Sequence, residues 1–284
     1  MSDHGFTKTT SDGRAVIPLS DEERYHFDIK GWLAIKNVLE PDEIGEMVEF
    51  ARKLKFDKES VPEKHRTTMA GPLEKLCDHP RVVGFMQEFL GHEDLECEEG
   101  YGFRMEYSFM GWRLRENKAD MWAPHGGRGT NPPFDDVHGY QGRPGNAYGG
   151  LLQAVWELTD VIKGQGTHFV PGTHKGSFDL PKSISEDRNH PLWETYECPA
   201  GSIVFFSESV THSGSKWEHP DHDRCAIFNS YNSIMCKYHM WDPHPDHLAE
   251  MSQKRASLFR PVHAEYNREN IEKGDELYEP RRGF

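Results

Sequence analysis

The chain has little of what usually places a protein at sight. Its 284 residues include only five cysteines (Cys77, Cys97, Cys198, Cys225, Cys236), scattered and without a C-x-x-C pair. That spacing excludes a thiolate zinc knuckle and a disulfide-stapled scaffold, and it points to free thiols in a reducing compartment. No apolar run reaches the 18 residues of a membrane helix, and Met1-Ser2-Asp3-His4 leads into no apolar signal segment. A soluble, cytoplasmic protein with no membrane partner is expected. Positive charge is scarce too: 33 Lys and Arg stand against 47 Asp and Glu, a formal net charge of −14. A nucleic-acid polymer needs a basic face, so it is not the expected partner. A small-molecule substrate held by a few local arginines remains open. Oligomeric state is not legible.

What is present is an aromatic-rich chain with an ordered pattern. Hydrophobic residues make up 36% of it, so the core must draw on the 16 Phe, 10 Tyr and 7 Trp. Residues 1–18 are polar and read as a flexible arm. Ser20 with Glu23 three positions on has capping-box spacing, which predicts a helix that breaks at Lys30-Gly31. Trp32 to Leu39 reads as a strand. Pro41 opens a helix with Ile44, Met47, Val48 and Ala51 on one face, and Pro80 to Leu90 reads as a third.

From Tyr101 the pattern changes. Phe103, Met105, Tyr107 and Phe109 alternate with Gly102, Arg104, Glu106 and Ser108, a half-buried strand. Strand-like runs at 121–125, 149–160, 167–170, 193–198, 202–207 and 224–231 follow, divided by Gly/Pro turns. Such spacing predicts an antiparallel sandwich or jelly roll. A helix is expected over 245–259 and a surface tail from 261. The fold class is thus mainly β with flanking helices: helices within 20–92, the β block over 101–232, and one domain spanning 19–260.

Two histidines stand out. His125 and His212 each end a strand-like run, 87 positions apart, and such residues can meet on one metal inside a β-sandwich. Neutral imidazole suits Fe(II), Zn(II) or Cu(II). His138, His168 and His174 compete for the role. Arg224, at the head of an apolar strand, could clamp a carboxylate bidentately. The loop 126–148 is long enough to be a lid, with Trp122, Arg128 and Tyr140 as weak substrate contacts.

These stretches resemble one family. Phe27 to Ile44, Gly150 to Val161, Gly166-Thr167-His168-Phe169-Val170-Pro171-Gly172-Thr173-His174, Gly201 to Phe206, and His212 with Arg224 are similar to the phytanoyl-CoA dioxygenase-like branch of the Fe(II)/2-oxoglutarate oxygenases. The resemblance covers roughly residues 20–235. It implies a double-stranded β-helix (jelly roll) using Fe(II), 2-oxoglutarate and O2. It further implies that His125 and His212 bind iron, that Arg224 pairs with the distal carboxylate of 2-oxoglutarate, and that Gln153 is a lesser cosubstrate or pocket contact. His174 would organise a turn.

One position departs from the family. Members normally carry Asp or Glu two residues after the first histidine, completing the metal triad; here it is Gly127. In the chlorinating branch that position is Gly or Ala and a halide takes its place. The resemblance with this departure therefore implies a halogenase, with chloride as a further cofactor and a small polar, possibly nucleotide-like, metabolite as substrate. Two alternatives stay open. A carboxylate from Asp135 or Asp136 would make an ordinary hydroxylase, with His138 competing separately as a third, nitrogen ligand; a chain that binds without catalysis is the other.

Overall fold

The computed structural model describes residues 5–117, 119–127 and 137–262. Its first helix, α1 (Asp21–Lys30), starts where the capping box predicts. The Ser20 hydroxyl accepts from Glu23 N at 3.2 Å, and the Glu23 carboxylate accepts from Ser20 N at 2.8 Å. It ends at Gly31, whose φ of +77° is left-handed backbone that glycine adopts without a Cβ penalty. A Cβ there would also lie 2.6 Å from His174 Nδ1, so the same glycine lets α1 approach the turn that carries His174. Helices α2 (Pro41–Phe56) and α3 (Pro80–Phe89) both begin with proline at the first helical position, where its missing N–H costs nothing.

Two sheets form the barrel. The larger is antiparallel, in the order β1 (Trp32–Ile35), β8 (Ser202–Ser207), β5 (Leu152–Glu157), β10 (Arg224–Ser233), β2 (Phe103–Arg113). Every residue of β5 and β8 is buried, because helices cover one face and the barrel interior lies on the other. On the helix side Phe205 stacks on Phe85 of α3 with ring centroids 3.9 Å apart, while Val204 and Phe206 belong to a second cluster with Phe169. The smaller sheet runs β7 (Glu194–Thr195), β6 (His168–Val170), β9 (Thr211–Ser213). His125 extends it by pairing with His212 through two backbone hydrogen bonds of 2.9 and 3.0 Å. β3 (Gln141–Arg143) and β4 (Asn146–Tyr148) form a separate hairpin. This is a double-stranded β-helix, the jelly roll expected.

Some expectations give way. The strand after Gly31 stops at Ile35, and the run 121–125 pairs through His125 alone. Residues 5–18 are docked, not a free arm: Thr7 and Thr10 are buried, Thr7 N donates to Glu96, and Lys254 reaches the Thr7 hydroxyl. The helix expected over 245–259 is two single turns, Pro245–Leu248 and Gln253–Ala256, the second freshly capped by Ser252, with a 3-10 turn behind it. The largest difference is in β2. Between Met105 and Tyr107 the register against β10 slips, leaving Glu106 as an extra residue. A bulge of one residue turns over every side chain beyond it. Phe103 and Met105 therefore face the helices, whereas Tyr107, Phe109 and Arg113 face the barrel interior.

Candidate metal centre and cavity

The interior opens as a cavity of about 560 Å³, and His125 and His212 both line it. Their ring centroids are 4.2 Å apart with planes at 59°. The backbone sets their chemistry. His125 Nδ1 lies 2.7 Å from the Ala123 carbonyl, and His212 Nδ1 lies 2.8 Å from the Val210 carbonyl. A carbonyl can only accept, so each Nδ1 carries a proton and Nε2 is the nitrogen left to face a metal. That is the second hydrogen bond that metal-binding histidines need. Burial holds the His212 imidazole below its usual range, keeping it neutral near pH 7. The pair fits a first-row divalent metal.

Gln153 lines the same cavity. Its amide donates to Glu208 Oε1 at 2.6 Å and its carbonyl accepts from Ser230 Oγ at 2.9 Å. Glu208, which the sequence reading missed, stands in the β8–β9 turn four residues before His212; its Oε2 is 3.8 Å from His212 Nε2. It lay in a turn, and nothing in local pattern marks a turn carboxylate as aimed inward.

The other expected residues are distributed differently. Gly126 lines the histidine cavity, whereas Gly127 (φ +89°) lies over Thr211 on a neighbouring depression, where a Cβ would come 2.6 Å from Thr211 Oγ1. Arg224 is fully buried, its guanidinium bound to both oxygens of Glu157 and 3.4 Å from the Tyr196 hydroxyl. His138 lies 2.8 Å from Asn232 Nδ2 and is not among the residues lining the cavity. His168 Nδ1 faces the Gly166 carbonyl, and His174 is buried with Nε2 on the Asp28 carbonyl, a turn-organising part. Trp122 packs on Trp193 and donates to the Ser185 carbonyl, and Tyr140 donates to Asp28; neither is among the residues lining the cavity. The aromatic wall is instead Tyr107, Phe109, Phe228 and Tyr238, with Phe109 and Phe228 stacked at 4.6 Å. Arg128, Asp135 and Asp136 lie outside the described residues.

A double-stranded β-helix with two tautomer-fixed histidines on its smaller sheet defines a class of enzyme, and comparison with known proteins agrees. The model of the family described as Phytanoyl-CoA dioxygenase (PhyH) matches residues 27–218. The chain belongs to that family, within the Fe/2-oxoglutarate-dependent oxygenase superfamily, and is an oxidoreductase of that type. It is 27% identical to the peroxisomal phytanoyl-CoA dioxygenase of Rattus norvegicus, over 78% of this chain and 70% of that protein. Among solved structures, HygX from Streptomyces hygroscopicus, with nickel, 2-oxoglutarate and hygromycin B bound, superimposes with a TM-score of 0.60 at 17% identity, covering 77% of this chain and 89% of its own. The carbocyclase SnoK from nogalamycin biosynthesis gives 0.56 at 17%, covering 86% and 93%. At such identities these structures show a shared fold. Among the described residues no helix is long and apolar enough to cross a membrane.

Proposed function

We propose that the protein is an Fe(II)- and 2-oxoglutarate-dependent halogenase that chlorinates a C–H bond of a small, ring-bearing polar metabolite. The observation that carries this reading is the residue two places after His125. It is Gly127, which has no ligand atom, so position 127 offers no carboxylate next to the cavity that His125 and His212 line. Two neutral imidazoles and a chelating 2-oxo acid leave room for a small anion, and chloride is the anion that turns C–H oxidation into chlorination. Bound iron, with 2-oxoglutarate and O2, supplies the oxidant that removes the hydrogen atom. The chain's own residues do the rest. The Ala123 and Val210 carbonyls fix both imidazole tautomers, and Gln153 orients Glu208. Tyr107, Phe109 and Phe228 give a flat ring an apolar wall to lie against and limit the access of water.

Glu208 supports a second reading. Ligand atoms about 2 Å from a first-row metal lie about 3 Å apart at right angles, so the 3.8 Å between Glu208 Oε2 and His212 Nε2 closes with a small side-chain rotation. Glu208 would then supply the carboxylate missing at position 127, and the outcome would be hydroxylation.

A chloride titration of the anaerobic Fe(II)–2-oxoglutarate complex, followed on its metal-to-ligand absorption band, separates them. A saturable shift in the wild-type protein supports the halogenase. A band indifferent to chloride in the wild type, but responsive in Glu208→Gln, supports the hydroxylase. No band at all ends the oxygenase reading for this chain.

A further inference from the structure

Away from the histidine cavity, the fold brings three metal-ligating side chains together from distant parts of the chain. The 3-10 turn Glu63–His65 follows α2, and the single turn Pro245–Leu248 packs on it. His65, His247 and Glu250 each offer one ligand atom, and the three atoms lie within 4.8 Å of one another. His65 and Glu250 are 185 residues apart in sequence, yet Nε2 of the first lies 2.6 Å from Oε2 of the second. None of the three is among the residues lining the cavity of His125 and His212. The chemistry proposed above makes no use of them.

Local contacts prepare each side chain as a ligand. His247 is 2% exposed, and its Nε2 lies 3.1 Å from the Met69 carbonyl. The carbonyl can only accept, so Nε2 carries a proton and Nδ1 is the nitrogen left to face a metal. That Nδ1 is buried and has no hydrogen-bond partner among the described residues. Burying a polar atom unpaired is costly, and a bound cation removes the cost. His65 meets His247 edge-on, with ring centroids 5.2 Å apart and planes at 79°. Crossed rings can aim two nitrogens at one point without overlapping. On the third side chain, Lys64 pairs with Glu250 Oε1 and leaves Oε2 turned to His65. Lys64, and then His65, hold the Glu250 carboxyl down to about 2, so it is ionised at neutral pH. A ligand carboxylate gripped on its other oxygen is oriented as metal sites require.

Ligand atoms about 2 Å from a tetrahedral metal stand about 3.3 Å apart. The 2.6 Å pair must therefore open slightly while the wider spacing closes. His65 and Glu250, with 31% and 46% of their side chains exposed, have room for that adjustment. Two imidazoles and one carboxylate, with water in the fourth place, are a set that Zn(II) takes, whereas Ca(II) and Mg(II) favour oxygen ligands.

We propose that His65, His247 and Glu250 form a second metal site, for Zn(II) or a similar borderline divalent ion, that clamps the Pro245–Leu248 turn to the turn after α2.

The test is equilibrium dialysis of the full chain, first stripped of metal by a chelator, against Zn(II), with bound zinc counted per chain and thermal melts run in parallel. Zinc also suits His125 and His212, so the count is made in His212→Ala protein. That protein should bind one zinc per chain and melt at a higher temperature with it. Adding Glu250→Gln or His65→Gln, at positions exposed enough to spare the fold, should weaken zinc at least about 10-fold, since even the outer partners of metal ligands are worth that much. The rise in melting temperature should go with it, and His247→Ala should act in the same way. Co(II) in place of zinc should give the strong visible absorption of a four-coordinate ion, lost in the same variants. The assignment is overturned if His212→Ala protein binds no zinc. It is equally overturned if zinc affinity survives Glu250→Gln and His65→Gln together, which marks an adventitious ion only. Affinity unchanged by His247→Ala also overturns it, because the buried imidazole is the ligand that a chance surface site lacks. Wild-type protein that binds a single zinc, lost in Glu250→Gln, upholds this site while counting against the histidine pair of the cavity, so the two readings fail separately.

Discussion

The five-stranded sheet and the three-stranded sheet face each other across one interior, but they are held in different ways. In the larger, β5 and β8 are buried along their whole length and lock into Phe85, Phe27 and the other side chains of α1 and α3. In the smaller, the strands are two or three residues long, and His125 joins through a single bridge. Buried packing is concentrated in the first and the two histidines stand with the second, while Tyr107, Phe109, Gln153 and Phe228 of the first complete the cavity wall. Regions that bind and open are drawn from the less stable parts of a fold, whereas a rigid scaffold fixes where they stand.

Substitutions should separate the two. Phe205→Ala removes a ring stacked on Phe85 and leaves a cavity on the helix side; about 3–5 kcal/mol of unfolding free energy should be lost. Urea denaturation measures this, and a loss below 1 kcal/mol would mean the larger sheet is not the keystone. Metal binding by the folded fraction should survive.

Acid should act on the same side. His79 caps α3, its Nδ1 accepting from Arg81 N at 3.2 Å, and it packs edge-on to Trp156 of β5. Burial, helped by Arg14, lowers its pKa to about 3. The folded state thus binds fewer protons than the unfolded one between pH 6.5 and 3, so this stability is complete above pH 6.5 and drains away as pH falls towards 3. A loss of about 3 kcal/mol is expected by pH 4. His79→Asn keeps a capping acceptor and should flatten this window in thermal melts.

On the smaller sheet the sign of the comparison reverses. His212→Ala should cost the apo protein only about 1 kcal/mol, the size of a lost hydrogen bond, yet abolish stoichiometric iron binding measured after desalting. Full metal content in that variant would mean His212 is not a ligand. The smallest effect is expected at the rim. Lys30 pairs with Glu194 of β7 at a half-exposed position; Lys30→Ala should shift stability by less than about 1 kcal/mol, and less still in high salt. A larger loss would show that the short sheet depends on that tie.

The larger sheet was the more legible for a physical reason. Its strands are long apolar runs, and 202–207 has the same bounds in sequence and structure. α1 was legible at both ends because Ser20, Glu23 and Gly31 act within a few residues of one another. In the smaller sheet the runs 167–170 and 193–198 contain β6 and β7, but β9, only Thr211–Ser213, is too short for periodicity to register. The two histidines were found because each ends an apolar run and because the surrounding blocks resemble a family. Glu208 was not, since it lies in a turn. Trp122 and Tyr140 lie outside the cavity lining because their rings pack on Trp193 and His174, contacts that nearness in sequence to a motif does not reveal.

The sequence by itself determined the order of helices and strands, the pair His125 and His212, and the absence of a carboxylate at position 127. All of these depend on residue type and near-neighbour spacing. Tertiary structure decided which side chains share the cavity. The extra residue at Glu106 reverses β2, sending Tyr107, Phe109 and Arg113 inward, and Glu157 on a different strand takes up the charge of Arg224. Strand side chains alternate with a period of two, so one inserted residue reassigns all that follow, and a charge finds its partner only when distant strands are laid side by side.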